Sequence, residues 1–547
     1  MKKLDQIPKT VIYVSVLISL ALTPWMNVDS MIIPKVIILF LLAAYIIPKI
    51  NLLGFLKYRN VYINMVFTVV FLIIMQMILV MTFSDAPVEQ QVFGRTGRGL
   101  GLITYVSLMI ILVAVMVFFN YKNSILIISG ICISSFVSSA YSILQFFGLD
   151  LINWSTKTNG IIGTLGNPNF QSAFAAMSLP FTLVFIIKNN LKLKFVGILF
   201  FSTMIFTLYI SESYQGYISV FLSLGVILSS YLWVKSKILF YIFSSSISVS
   251  TGVLTLGLFN SGPLSELIYK YSVKSRGEMW RTSIATSSDN PIFGIGLDSF
   301  GDYSNYYKSA SDAVGVNEYI DNSHNYFLEY AATGGYLLAF LHLLLVLITA
   351  FSFLKVQLNL GKFDLNISTL FGAWVAFQGQ TLISPANITL LLWNFIISGF
   401  IIGIASGVQE NFLPDEIQIR TKLTSVRLGS VFLLSVVLIV MFPYFNADRL
   451  QQKADRTGDV LLAVQAAKMY PEATMRYQRI GVELLQAGFV EQSVEIGRAA
   501  VAFNPNSFYG WAFLLSSDST EEKNKAVSEL KRLDPFNKII MELNYFE

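Results

Sequence analysis

His324 is one of only two histidines in a 547-residue chain, 54% of which is hydrophobic. It lies in the polar stretch Asp321-Asn322-Ser323-His324-Asn325, shortly before a strongly apolar segment. An imidazole with an ordinary pKa of about 6.5 is largely neutral at physiological pH, so it can remove a proton or orient a hydroxyl group. His324 is therefore a candidate catalytic residue, and a helix cap at the end of the loop is the structural alternative.

The polar stretch that ends at His324 begins near residue 260 and contains Arg276, Trp280 and Arg281. A loop of roughly 65 residues is far longer than two neighbouring membrane helices need. Guanidinium groups bind phosphates through charge-assisted hydrogen bonds. Loop 260–325 thus combines groups that suit anions with aromatic and amide side chains that suit sugars.

Two arginines, Arg95 and Arg98, lie among glycines in residues 93–99, just before an apolar run. Side chains and backbone N–H groups can both approach an anion in such a segment. We therefore expect Arg95 and Arg98 to bind a phosphate. The alternative is that both arginines lie at the lipid headgroup level, where cationic side chains commonly extend to the interface.

A third polar loop, residues 159–169, ends in Asn167-Pro168-Asn169 before another apolar run. Glycines and the Asn-Pro pair indicate a defined turn, and Asn169 could cap the following helix. A turn that only starts a helix is the simpler interpretation. Binding of a phosphate or a sugar by Asn167 and Asn169 is the functional one.

These loops must be positioned by membrane helices, because 13% charged residues and a mean hydropathy of +0.62 do not suit one soluble core. About thirteen apolar runs are long enough to approach or span a hydrocarbon core of ~30 Å. They cover roughly residues 11–26, 31–47, 61–83, 100–119, 125–147, 170–187, 195–210, 217–234, 238–259, 326–354, 368–384, 389–407 and 428–445. We therefore predict an all-α, polytopic membrane protein with 12 or 13 transmembrane helices.

Lysine and arginine concentrate on alternate connections, which places those connections in the cytoplasm. They are Lys2, Lys3, Lys9, Lys49, Lys57, Arg59, Lys122, Lys188, Lys192, Lys194, Lys235, Lys237, Lys355, Lys362, Arg420, Lys422 and Arg427. The opposite connections hold chiefly Arg95, Arg98 and Lys157. We expect a cytoplasmic N-terminus, no cleaved signal peptide, three polar loops on the outer face and an extracytoplasmic C-terminus.

The composition changes after Phe445, and we predict a boundary between a membrane domain, residues 1–446, and a helical-repeat domain, residues 447–547. Tyr470-Pro471, Asn504-Pro505 and Asp534-Pro535 recur at tetratricopeptide-like intervals. A short tetratricopeptide-like array would offer a surface for a protein partner. A generic helical hairpin packed on the membrane domain is the alternative.

The outer-loop motifs resemble the O-antigen ligase and O-antigen polymerase superfamily of bacterial polytopic glycan transferases, which includes protein O-oligosaccharyltransferases. The likeness rests on Arg276, Trp280, Asn290-Pro291, Gly294-Ile295-Gly296 and Phe300, on His324-Asn325 followed after nine residues by Gly335, and on residues 163–169. It covers roughly residues 95–393. One departure is Gln215 or Tyr214, in a short turn where ligases often carry arginine, so Arg95 or Arg98 would have to supply that charge.

The resemblance implies transfer or polymerisation of a glycan from a polyprenyl-diphosphate donor to a hydroxyl of a glycan, lipid or protein acceptor. Arg276 would then stabilise the leaving diphosphate and His324 would serve the acceptor. Arg95, Arg98, Asn167, Asn169, Trp280, Arg281, Asn325 and Gly335 would bind substrate. No Asp-x-Asp motif or His/Cys cluster stands in the outer loops, so we expect neither a metal nor another cofactor. A single displacement would invert the anomeric carbon.

Two other classes of function remain open at the level of sequence. A transporter or flippase of lipid-linked sugars would share the many spans, but transporters place ionisable groups near the bilayer midplane. A scaffold acting through the repeats would leave the His324 loop unexplained.

Overall fold

A computed structural model describes residues 6–50, 60–154, 160–187, 190–258, 260–269, 271–310, 320–407 and 423–546. Several residues used above lie outside the described residues: Lys2, Lys3, Lys57, Arg59, Lys157, Asn159, Lys188, Arg420 and Lys422.

The described residues form helices joined by turns and loops, with no strand among them. The helices up to the last apolar run are α1 (Gln6–Leu20), α2 (Ile33–Ile46), α3 (Val61–Phe83), α4 (Val88–Phe93), α5 (Leu102–Phe118), α6 (Ser124–Phe146), α7 (Pro168–Ser178), α8 (Thr182–Ile186), α9 (Leu191–Ile210), α10 (Tyr214–Lys235), α11 (Lys237–Leu258), α12 (Ser265–Ile268), α13 (Tyr271–Asp289), α14 (Phe300–Tyr307), α15 (Tyr326–Leu360), α16 (Leu365–Thr381), α17 (Ile388–Ser406) and α18 (Leu423–Thr457). The C-terminal segment adds α19 (Val460–Ala467), α20 (Thr474–Gln486), α21 (Val490–Phe503), α22 (Phe508–Leu514), α23 (Thr520–Leu533) and α24 (Lys538–Met541).

The predicted all-α, polytopic membrane architecture is confirmed. Every apolar run overlaps a helix, although only nine helices of the described chain are long and apolar enough to cross a membrane by length and composition. Helices α1 and α5 are apolar but shorter. Helix α18 continues to Thr457, so it passes through the proposed domain boundary at residue 446.

Helix α17 lies at the centre of the membrane part, and 94% of its apolar window is buried. Its close packing on α5 depends on Gly399 and Gly403. A Cβ added to these glycines would lie 2.4 Å from the Leu112 carbonyl oxygen and 2.6 Å from that of Met116. Small residues four apart allow the backbones of membrane helices to approach in this way.

Helix α15 follows the His324 loop and is interrupted at Gly335, whose φ is 80°. The middle of the long loop, residues 291–296, packs into this interruption. The Ile295 and Gly296 N–H groups donate to the Ala332 and Thr333 carbonyls at 3.0 and 3.1 Å. These bonds satisfy backbone groups that the broken helix leaves open and fix the loop on α15.

The C-terminal segment packs on the outer loops and on α4. Thr474 donates a hydrogen bond to Gln90 at 3.0 Å, and Asn504 donates to Asp302 at 3.1 Å. The rings of Phe93 and Tyr444 stack with centroids 5.0 Å apart. The end of α18 and the C-terminal segment therefore contact α4 and the long loop, which contains predicted site residues.

Candidate functional site

A cavity of about 780 Å³ lies where the three polar loops meet. Parts of all three predicted loops line it, together with the α1–α2 connection, the α16–α17 connection and the end of α18. Polar and charged residues in its lining include Asn27, Asp29, Thr96, Arg98, Asn153, Asn167, Asp321, Asn322, His324, Asn387, Gln452, Asp455, Arg456 and Arg479. Its volume suits a small-molecule or sugar ligand.

His324 lines this cavity and is half-buried. Its backbone adopts φ of 48°, a left-handed conformation that is uncommon for residues other than glycine, and its N–H donates to the Asn322 side chain at 2.8 Å. The buried Nδ1 of the imidazole has no hydrogen-bond partner among the described residues. A strained residue with an unpartnered polar atom beside a cavity is a candidate for a functional role.

The imidazole of His324 is held in its neutral form. Burial, followed by the positive charges of Arg276 and Arg98, lowers the pKa of His324 to about 4, although Asp321 acts in the opposite direction. A neutral imidazole keeps one ring nitrogen able to accept a proton or a hydrogen bond. His324 can therefore orient a hydroxyl group at neutral pH.

Asn325 caps α15, the role that was the structural alternative for His324. Its side-chain oxygen accepts hydrogen bonds from the Phe327 and Leu328 N–H groups at 3.0 and 3.1 Å. Its amide group donates to the Leu382 carbonyl at 3.2 Å. Asn325 thus fixes the end of the loop on α15 and on the α16–α17 connection, and it does not line the large cavity.

Arg98 lines the cavity and binds Asp321, three residues before His324. Its Nη2 lies 2.8 Å from the Asp321 carboxylate, and the Arg98 side chain is 13% exposed. The pair joins residues 93–99 to the end of the long loop. A guanidinium held at a cavity edge by one carboxylate can still contact an anionic ligand through its remaining N–H groups.

Arg95 lies apart from Arg98, although the sequence predicts the same role, phosphate binding, for both. Its guanidinium pairs with Asp302 at 3.6 Å, and both side chains are almost fully buried. It lines a different, small cavity between residues 89–96 and the C-terminal segment. The contacts of Arg95 are therefore those of a structural cation.

Asn167 lines the large cavity, and Asn169 does not. Asn167 caps α7 by accepting the N–H of Asn169 at 2.8 Å, so the expectation that Asn169 caps this helix is wrong. The side chain of Asn169 instead accepts a hydrogen bond from Ser213 at 2.8 Å. It thereby ties the third loop to the turn before α10, the helix that begins with Tyr214 and Gln215.

Helix α13 contains the three residues predicted from the start of the long loop. The Nε of Arg276 donates to the Ile383 carbonyl at 2.8 Å, next to the cavity-lining residues of the α16–α17 connection. Trp280 is half-buried and Arg281 is exposed. None of the three lines the large cavity. Arg276 is nevertheless close enough to His324 to lower its pKa.

Gly335 contacts the loop backbone rather than the cavity. A Cβ at this position would lie 2.2 Å from the Ile292 carbonyl oxygen, and the neighbouring Tyr336 N–H donates to Pro291 at 2.9 Å. Only glycine fits such an approach at a positive φ. The contacts of Gly335 explain its position through loop packing.

Sequence reasoning missed the Asp29 carboxyl group. Asp29 accepts the Gly97 N–H at 2.7 Å, and burial followed by the neighbouring Asp448 raises its pKa to about 7. Polar residues between the first two apolar runs, on the same side as the other loops, were the available signal. Asn387 is likewise a polar residue between two apolar runs. Arg456 and Arg479 belong to no recognisable motif.

Residues 199–343 match the family described as O-antigen ligase. The match extends from α9 into α15 and includes Arg276, Trp280, Arg281, His324, Asn325 and Gly335, while Arg95, Arg98, Asn167 and Asn169 precede it. No curated protein matches the chain. The motifs that suggested the resemblance and the family match agree over the long loop, so residues 199–343 are similar to the O-antigen ligase family.

Proposed function

We propose that the protein transfers a glycan from a polyprenyl-diphosphate carrier to an acceptor hydroxyl on the outer face of the cytoplasmic membrane. The family match supports a membrane glycan ligase or polymerase in general. The observation that carries the finer proposal is the cavity in which the neutral His324 and the guanidinium of Arg98 both lie.

The arginines would act on the donor side of the reaction. As the bond between the anomeric carbon and the diphosphate oxygen breaks, its electron pair stays on the leaving diphosphate. Guanidinium groups stabilise this developing charge by charge-assisted hydrogen bonds. Arg98 lines the cavity and Arg276 lies beside it, so these two residues fit the role better than Arg95, which pairs with Asp302.

His324 would act on the acceptor side. The acceptor oxygen attacks the anomeric carbon from the face opposite the diphosphate, and its proton moves to a ring nitrogen of His324 or to solvent. A single displacement of this kind inverts the anomeric centre. Because the pKa of His324 is about 4 in the free protein, the imidazole is a weak base. It accepts a hydrogen bond from the acceptor hydroxyl more readily than it takes up the proton. Orientation of the acceptor is therefore its main proposed role.

Ligase, polymerase and protein glycosyltransferase differ only in the acceptor. In each of the three reactions, an acceptor hydroxyl would lie near His324 and the diphosphate near Arg98. The proposed chemistry is therefore the same for all three. A cavity open to residues of the C-terminal segment leaves room for an extended glycan or a peptide loop.

Reconstituted transfer tests the donor side of the proposal. The full-length protein in liposomes is supplied with a polyprenyl-diphosphate glycan and candidate acceptors, and wild type is compared with Arg98→Ala, Arg276→Ala and Arg449→Ala. We expect loss of Arg98 or Arg276 to lower kcat about 100-fold or more. Arg449 is exposed and lies outside the cavity, so its replacement should leave the rate unchanged. Full activity in both Arg98→Ala and Arg276→Ala would exclude arginine stabilisation of the leaving group.

A further inference from the structure

The C-terminal segment contributes part of the wall of the large cavity. Gln452, Asp455 and Arg456 from the end of α18, and Arg479 from α20, all line it. They face the same space as Arg98 and His324. This placement is unexpected for a segment predicted only to bind a protein partner.

Hydrogen bonds anchor this wall to the first connection of the membrane part. The Gln452 amide donates to the Pro24 and Asn27 carbonyls at 2.8 and 3.0 Å. The Asp29 N–H donates to the Asp448 carboxylate at 3.1 Å. Asp29 and Asp448 are both buried. The end of α18 is therefore a fixed part of the cavity.

Among the described residues that line the cavity, one guanidinium has no carboxylate partner. Arg98 pairs with Asp321, and Arg479 pairs with both Asp455 and Glu483. Asp29 is buried beside a second carboxylate, which opposes its ionisation.

Arg456 is exposed and forms no ion pair with a described residue. Its guanidinium makes a single long hydrogen bond, 3.4 Å, to the Pro24 carbonyl. Since Asp455 is already bound by Arg479, the adjacent carboxylate does not neutralise Arg456. The wall formed by the C-terminal segment thus presents to the cavity one guanidinium, that of Arg456, that no carboxylate of the described residues binds.

We propose that Arg456 is a substrate-binding residue that contacts an anionic group of the lipid-linked donor, so that the C-terminal segment is part of the glycan-transfer site. This inference rests on the proposed function. Two sources supply such a group: the diphosphate of the carrier, or an acidic sugar of the glycan. A guanidinium with unused N–H groups forms bidentate hydrogen bonds with either.

The test uses two donors with the same carrier diphosphate, one bearing a neutral glycan and one bearing a carboxylate-substituted glycan. Full-length wild type, Arg456→Gln, Arg456→Lys and Arg498→Gln are compared in liposomes by kcat and KM. Arg498 is a matched control, because it is an exposed arginine of the same segment that pairs with Glu522 outside the cavity. Thermal unfolding of each variant confirms that it folds.

We expect Arg456→Gln to raise KM at least about 10-fold, Arg456→Lys to retain part of the affinity, and Arg498→Gln to match wild type. A rise with both donors assigns Arg456 to the diphosphate, and a rise with the acidic glycan alone assigns it to the sugar. Unchanged KM for both donors in a folded Arg456→Gln protein overturns the inference. Failure of wild type with every donor overturns the proposed function instead.

Discussion

At the scale of single residues, the environment of His324 defines what it can do. A histidine in a polar outer loop would ordinarily titrate near physiological pH. Burial and the nearby guanidiniums of Arg276 and Arg98 keep this one neutral well below that range. The protein therefore presents a hydrogen-bond acceptor to the cavity without a pH-dependent charge under ordinary conditions.

This neutrality predicts the pH dependence of kcat/KM, which reports ionisations of the free enzyme. Protonation of His324 removes its acceptor nitrogen, so activity is retained above its pKa and lost as the pH falls through about 4. The rate of glycan transfer measured from pH 3.5 to 8 checks this. Because Asp29 has a pKa of about 7, Asp29→Asn is measured in parallel. An acidic limb centred at pH 6 to 7 that persists in Asp29→Asn contradicts the assignment of His324.

The contrast between Arg95 and Arg98 shows which property of these residues the sequence could not predict. Both arginines lie in the same glycine-containing segment, and both were predicted to bind phosphate. Their partners differ. Arg95 forms a buried ion pair with Asp302, whereas Arg98 pairs with Asp321 and lines the cavity. These partners are more than two hundred residues away in sequence, and pairing over such a distance depends on the fold.

At the scale of elements, the interruption of α15 positions the His324 loop. The broken turn at Gly335 accepts the loop segment around Ile292 and Gly296, and Asn325 caps the start of the helix. The sequence placed His324 and Gly335 in one motif. It could not show that Gly335 allows two backbone segments to pack together. That role is visible only in the fold, where a Cβ added to Gly335 would lie 2.2 Å from a carbonyl oxygen.

We therefore expect Gly335→Ala to destabilise the protein and to lower transfer. The added Cβ meets the Ile292 carbonyl, and alanine also disfavours φ of 80°. Gly361→Ala, at the end of the same helix, is the matched control, since φ is 59° there and no atom lies within 4 Å of the added Cβ. It isolates the conformational cost, about 1 kcal/mol. Equal melting temperatures for the two variants would contradict the packing role of Gly335.

The meeting of the outer loops was the part of the site most open to prediction. Polar loops on one side of a helical membrane protein lie near one another, and residues from all three line one cavity. The α1–α2 and α16–α17 connections were missed, because Asp29 and Asn387 lie in short turns that contain no recognisable motif.

At the scale of the whole molecule, the C-terminal segment is joined to the polar loops by a buried polar network. Asp302 is its centre: it pairs with Arg95 and accepts hydrogen bonds from Gln90 and Asn504. The change in composition after Phe445 predicted a separate helical unit. The sequence singled out Arg95 and Asn504 for other roles, and it did not show that both contact Asp302.

Replacement of Asp302 by alanine should weaken this attachment. It leaves the Arg95 guanidinium buried without its carboxylate, which typically costs about 3–5 kcal/mol. Limited proteolysis should then cleave residues 447–547 faster than in wild type. Glu522→Ala removes the exposed pair with Arg498 and a hydrogen bond from Ser517, both outside the Asp302 network, and serves as the control. Equal proteolysis rates for Asp302→Ala and Glu522→Ala would show that the buried network does not hold the segment in place.

The membrane orientation proposed from the distribution of lysine and arginine has its own test. Cys132 is buried, so it is replaced by serine and a single cysteine is introduced as Asp518→Cys on the exposed surface of the C-terminal segment. An impermeant thiol reagent should label this cysteine in intact cells. Labelling that requires permeabilised membranes places the segment in the cytoplasm and reverses the topology.

The proposed service of His324 to the acceptor in glycan transfer is tested most directly by the initial transfer rate of the purified, liposome-reconstituted protein. We predict that His324→Ala lowers this rate about 100-fold or more while binding of the polyprenyl-diphosphate donor is retained. His342→Asn changes the other histidine, which packs against Tyr326 and Tyr330 away from the large cavity, and should lower the rate far less per folded molecule. A wild-type rate in His324→Ala would contradict the proposed role of His324 on the acceptor side.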